Sequence, residues 1–480
     1  MDNPILRLKL LSLSLIKFNG MSSTRTPLLS DFEKQSTAQW ESQVVKELKG
    51  KSISEISTFS EDGIETKPFY HHPDYKETGK QLWKNETGNK WLVVEKIVVS
   101  NAVEDNKQAL HALMNGANAL WFVGDITTNN LAQLLQGIEL PYIQVFIEPN
   151  KDIALVDKAY QEFVANHFNN QTCAGGVYSN TLSHIATTGK WGNKKQELEN
   201  ITTSKGLAIS GVQWRNAGGT IVQELAIFLA ETNEYLGMLS DDQQITFAKN
   251  VVYQTGVGEN YFLEMAKIRA IRLLWNNLIK EYKLTNSPLH IHAESLLFNK
   301  SIYDQHNNLL RTSTEAMSAI IGGCNSLNVL SFDAAYDGKS KLGNRMARNI
   351  QSILKEESYL DKISDPANGS YYVENLTSEI ANKAWELFQA IEKSGGYIHA
   401  LESNQLQEMT ATSCKEQELA FEEGKKIVLG VNRYPNANEK FAATKIAVNE
   451  PVKNSSEFMA IQSTRVSAKQ EAYRQQQNSN

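Results

Sequence analysis

The sequence is poor in cysteine: its 480 residues hold three, Cys173, Cys324 and Cys414, all far apart. That excludes a disulfide framework and a cysteine-based zinc cluster, and it suits a reducing compartment. A basic excess is also missing. Lys and Arg number 48 against 54 Asp and Glu, a net charge of −6. Nothing in that balance draws the chain to nucleic acid. No run reaches the roughly 18 apolar residues that a membrane-spanning helix requires, so no membrane association is expected. Lys9 and Lys17 bracket only a short leucine-rich stretch, and no small-residue cleavage site follows it. That is a poor signal peptide; Met21 makes the better start, and residues 1–23 read as a disordered extension. There is no internal repeat. The phosphate-cradling glycine loops, the nucleophile elbow and the HExxH zinc motif are absent too. What remains is ordinary globular material, 41% hydrophobic and 21% charged. It is long enough for one large barrel or for two to three smaller domains.

Residues 24–90 read as an irregular arm. Trp40, Val44 and Leu48 make one helical stripe closed by Gly50, and Asp62–Gly63 a turn. From Trp91 short apolar runs alternate with helical stretches. The strand candidates are 91–99, 119–123, 142–147, a weak one near 174–178, 207–210, 250–254, 289–293 and 327–332. The plainest helix runs over 260–283, with Ile268, Ile271, Trp275, Leu278 and Tyr282 on one face. Eight such alternations predict parallel βαβ units closed into a (β/α)8 barrel over 91–435, although a doubly wound sheet has the same periodicity. Helices are expected over 341–358 and 376–393. Residues 436–480 read as a polar tail, rich in Gln, Asn and Ser from about 452 and either frayed or disordered.

Candidates for chemistry are few. His290 and His292 share one face of a strand, with Glu294 next on that face. Three ligands of this kind could hold a metal, and polar packing is the commoner outcome. His71–His72 lie in the arm and read as solvated. Arg345 and Arg348, three apart on a helix, could hold a carboxylate or phosphate or form surface ion pairs.

Three stretches are more specific. They are Ile209–Leu236 (ISGVQWRNAGGTIVQELAIFLAETNEYL), Leu309–Ala334 (LLRTSTEAMSAIIGGCNSLNVLSFDA) and Asn344–Ser378, the last followed by Gly424–Pro435 (GKKIVLGVNRYP). In order and spacing they resemble the barrel of methylmalonyl-CoA mutase, a family that uses adenosylcobalamin to interconvert methylmalonyl-CoA and succinyl-CoA. The resemblance covers roughly residues 40–435 and implies a TIM barrel with an N-terminal extension.

The departures from the catalytic chain of that family carry as much information. Where it has a Tyr-His pair against substrate and corrin, this sequence has Val212 and Gln213. Where it has a catalytic Gln, this sequence has Asn325. Val212 has no side-chain donor or acceptor, and Gln213 cannot carry a proton as an imidazole can. The family's Tyr-bearing motif before the first strand and its substrate-carboxylate Arg find no counterpart. The C-terminal flavodoxin-like cobalamin domain is expected to be lacking: Asp304-x-His306 is not followed by the Gly of the cobalt-ligating signature. Leu120, Trp121, Phe122, Ile143, Val145, Phe146, Val329 and Phe332 should send about half their number into the bore, leaving no tunnel for coenzyme A.

The resemblance therefore implies the non-catalytic small (beta) subunit of a cytoplasmic heterodimer. It would bind no cofactor or metal itself, and its partner would be the large (alpha) subunit that carries adenosylcobalamin. Two alternatives stay open: an active acyl-CoA mutase barrel served by a cobalamin domain on a separate chain, and a free-standing barrel that binds a small molecule or a chaperone partner. The aromatic arm would pack on the partner or strap its own barrel.

Overall fold

The computed structural model describes residues 33, 35–71, 88–169, 171–203, 206–285, 287–336, 340–436, 438–439 and 456–479. The chain divides into two compact units, Met1–Ile56 and Ser57–Asn480. In the first, the expected stripe forms a helix over Thr37–Glu47. Ser36 and Gln39 cap it reciprocally, and Gly50 follows at φ +89°. The arm read over 24–90 is thus split, because 57–71 pack within the second unit. There Ile64 is buried in the main core and Glu61 pairs with Lys426 at 2.8 Å. Residues 72–87, with His72, lie outside the described residues.

The second unit is built on eight parallel strands. They are β1 (Leu92–Val99), β2 (Ala119–Gly124), β3 (Gln144–Pro149), β4 (Ala174–Val177), β5 (Leu207–Ser210), β6 (Val251–Val257), β7 (His290–Ser295) and β8 (Ser326–Asn328). Neighbours in the chain are neighbours in the sheet, and β8 returns to pair with β1. A bridge between Ser179, just past β4, and Leu207 joins the two remaining edges and closes the barrel. Strands of such a barrel are covered on both sides, so they read as continuous apolar runs, which is why most were recognisable. The weak pattern at β4 has a steric cause. Gly175, at φ +96°, lies against the Val145 carbonyl where a Cβ would collide.

Helices α1 (Ala102–Met114), α2 (Ile153–Phe168), α3 (Thr181–Thr188), α4 (Val212–Asn216), α5 (Ile221–Met238), α6 (Tyr261–Glu281), α7 (Asn307–Gly322) and α8 (Lys341–Glu356) surround the strands. Helix α9 (Tyr371–Lys393) packs outside α5 and α6 as a second layer. That is why α5 buries 13 of its 18 residues rather than one stripe. Between the layers Arg269 pairs with Asp365 and with Glu374 (2.6 Å).

The C-terminal stretch corrects the expectation of a frayed or disordered tail. Residues 456–467 cross the barrel loops as a strap, with backbone hydrogen bonds to Gly189, Ala186, Asn216 and Phe298. Phe458, Ile461 and Val466 are buried. Helix α10 (Ala468–Ser479) follows. Its Glu471 pairs with Arg465 and accepts from Ser467 Oγ (2.9 Å) and the Ile302 amide (3.1 Å). Arg474 lies 4.0 Å over the Tyr303 ring. Among the described residues no helix is long and apolar enough to cross a membrane.

Candidate functional site

The barrel bore is where a (β/α)8 fold places its chemistry, at the C-terminal ends of the strands. Period-two alternation turns Val94 and Lys96 of β1 inward, with Trp121 of β2, Phe146 and Glu148 of β3, Gln254 of β6, and His290, His292 and Glu294 of β7. In mid-bore the rings of Trp121 and Phe146 stack at 4.3 Å. His292 lies 4.4 Å from Trp121, and Tyr178 lies 5.6 Å from Phe146. Val94, Ala119, Ala208 and Val252 fill the space around them. The bore is a packed core at this level. Of the eight bulky residues expected to divide between bore and exterior, Trp121 and Phe146 face in. Leu120, Phe122, Val145 and Ile143 belong to the cluster under the outer helices, Val329 to the main core, and Phe332 packs against the His306 ring.

Above the rings sits a polar ring. Lys96 Nζ pairs with Glu294 at 2.8 Å. Glu148 accepts from Trp121 Nε1 (2.8 Å), Gln254 Nε2 (2.6 Å) and Asn180 Nδ2 (2.7 Å). Burial pushes the Glu148 carboxyl up to about 7, against the pull of Lys96 and its donors. Below, the Ser326 hydroxyl lies 2.8 Å from both His290 Nε2 and His292 Nδ1. Burial holds His290 at about 4 and His292 well below the usual imidazole range, so both are neutral. The same-face pair read from the sequence exists, but Glu294, its third candidate ligand, is turned to Lys96. No group of three His, Cys, Asp or Glu suited to a metal occurs among the described residues.

The three positions singled out by the resemblance do not converge. Val212 and Gln213 start α4, just past the C-terminal end of β5. Val212 is buried, and Gln213 donates to the Ser183 carbonyl at 3.0 Å. Asn325 stands at the N-terminal end of β8, where it accepts from the Ile291 amide (2.9 Å) and Arg272 (3.2 Å). His306 caps α7 with its ring against Phe332, and Asp304 sits at φ +46° in the turn before it. Arg348 is buried and pairs with Glu95 at 2.7 Å, while Arg345 is exposed. Sequence reasoning missed Lys96, Glu148 and Gln254. The Glu95–Lys96 pair set between Val94 and Ile97 in an otherwise apolar strand was the available signal.

The model of the family described as methylmalonyl-CoA mutase matches residues 127–478. The small subunit of that enzyme from Porphyromonas gingivalis is 32% identical over 451 residues, which is 87% of this chain and 73% of that one. The chain belongs to the methylmalonyl-CoA mutase family. The Streptomyces virginiae small subunit is 27% identical across 82% of this chain and 68% of its own. The mitochondrial enzyme of Bos taurus is 25% identical across 87% of this chain and 63% of its own. The family match extends through the strap, so the strap belongs to the mutase-like unit and not to a tail outside it.

The resemblance implies a tunnel through the bore for coenzyme A and polar groups at its mouth free to meet substrate and cofactor. Here aromatic rings fill the bore, and Lys96, Glu148, Asn180, Gln254 and Glu294 are bonded among themselves. These residues do not fit the cofactor and its substrate.

Proposed function

We propose that this chain is the non-catalytic small subunit of a heterodimeric, adenosylcobalamin-dependent methylmalonyl-CoA mutase. It acts in the cytoplasm by stabilising the catalytic large subunit, which carries the cofactor. The observation that carries this reading is the plugged bore. The Trp121–Phe146 stack, closed by His292 and Tyr178, occupies the axis along which a coenzyme A arm would pass. Two further points support it. Val212 and Gln213 stand where the resemblance places the catalytic Tyr-His pair, and relatives named as small subunits match most of the chain. A catalyst would have to replace positioning, acid–base and cofactor-binding groups together.

The experiment is co-expression of this chain with a large chain that has the Tyr-His pair and a cobalamin domain. The two should co-purify one to one and stay associated at micromolar concentration, and this chain alone should not isomerise methylmalonyl-CoA when cobalamin is added. Absence of association would overturn the reading. Turnover by this chain with a separate cobalamin-binding protein would replace it with an active mutase barrel.

A further inference from the structure

We propose that the cleft between α1 and α8 binds the phosphate group of a small molecule. Helix α8 presents Lys341, Arg345 and Arg348 at i, i+4 and i+7, one face of the helix. His111 and Asn115, from the end of α1, form the facing wall, and Leu342 completes a cleft of about 340 Å³ with no carboxylate in its lining.

Two of the three cations of α8 are not offset. Lys341, Arg345 and His111 have no ion-pair partner among the described residues. Arg348 spends Nη1 on Glu95 at 2.7 Å, while its buried Nε has no hydrogen-bond partner. Arg348 also lines an inner cavity with Lys96, Asn328 and Gln351, so it is the shared wall between the surface cleft and the barrel mouth.

This arrangement opposes the helix's own field. The first turn of a helix is its positive end and favours anions, yet the first turn of α8 carries no acidic residue and holds Lys341, with Arg345 following directly after it. In a chain of net charge −6, that local accumulation costs stability unless an anion offsets it. Conflicts between a local rule and the fold mark functional positions. A guanidinium presents a planar fork of N–H donors that matches phosphate oxygens, and Lys341 adds a point charge beside it. The inference does not depend on the proposed subunit role.

Isothermal titration of the full chain with inorganic phosphate, and separately with adenosine monophosphate, tests it at ionic strength matched with chloride. Saturable one-to-one binding is expected for at least one of the two. Tighter binding of the nucleotide would identify a phosphate monoester as the ligand class, and equal or weaker binding the free ion. The Lys341→Gln/Arg345→Gln double variant should bind about ten-fold more weakly or worse, as loss of charge-assisted contacts requires. Both residues are exposed, so the fold is kept. The control Lys107→Gln, whose lysine pairs with Glu104 on α1, should bind like the parent. No saturable heat with either probe, or equal binding by the double variant, would overturn the proposal.

Discussion

Glu231 on α5 is wholly enclosed and accepts from Ser183 Oγ at 2.9 Å and Tyr235 at 3.5 Å. Burial pushes its carboxyl from 4.5 up to about 8. The folded chain therefore keeps a proton that the unfolded chain releases. The stability this contributes is complete below about 4.5 and is lost as pH rises towards about 8. Glu148, at about 7, acts in the same sense. His290 and His292 act in the opposite sense, since they stay neutral in the fold while the unfolded chain takes up protons below 6.5. Their contribution is complete above 6.5 and is lost as pH falls. Between 4.5 and 6.5 the two pairs oppose each other, and above 6.5 only the carboxyls remain. Each unit of displaced pKa corresponds to about 1.4 kcal/mol. The urea midpoint should fall as pH rises from 6.5 to 8, and Glu231→Gln should fall less steeply over the same range. An equal slope in the variant would mean that Glu231 is not the titrating group. None of these groups was legible in the sequence as a titrating site, because a glutamate on a helix looks the same whether an outer helix covers it or water does.

At the scale of elements, legibility followed burial. Strands β1, β2 and β5 were readable to within a residue or so because strands covered on both faces leave unbroken apolar runs. Strand β8 was anticipated over 327–332, but pairing ends at Asn328 and a turn follows. Helix α7 begins at Asn307, just after the turn at Asp304, which sits at φ +46°. The candidate site divides the same way. His290 and His292 were found from their spacing, whereas Glu148, Gln254 and Lys96 meet only through barrel closure, which no local pattern encodes. The strap went unread because Phe458, Ile461 and Val466 follow neither helical nor strand periodicity, and its backbone bonds go to Gly189, Ala186, Asn216 and Phe298, all far back in the chain. Its weak point is Glu471, which holds Arg465, Ser467 and the Ile302 amide together. Glu471→Ala leaves a buried guanidinium and an amide unpaired, and breaking a buried pair costs about 3–5 kcal/mol. A lower denaturation midpoint is expected, with faster hydrogen exchange confined to 456–479. Parent-like exchange there would mean that the strap is held by its apolar contacts alone.

For the whole molecule, the proposed role makes a thermodynamic demand that differs from catalysis. A chain that stabilises a partner by binding only its folded form does so by mass action. The gain is about 2.7 kcal/mol when its free concentration is a hundred times the dissociation constant, and it grows with the logarithm of concentration. A chain that instead supplied a group to the reaction would change turnover at saturating partner without requiring that dependence. The closed bore favours the first behaviour: Trp121 and Phe146 are fully buried against each other, so this barrel is rigid packing material around its own axis. The melting temperature of the large chain should therefore rise with added small chain, logarithmically once the small chain is in excess. Turnover per folded large chain should stay constant. A melting temperature that does not move while turnover changes would assign this chain to regulation of the reaction, and the plugged barrel would then have to transmit that effect through the interface alone.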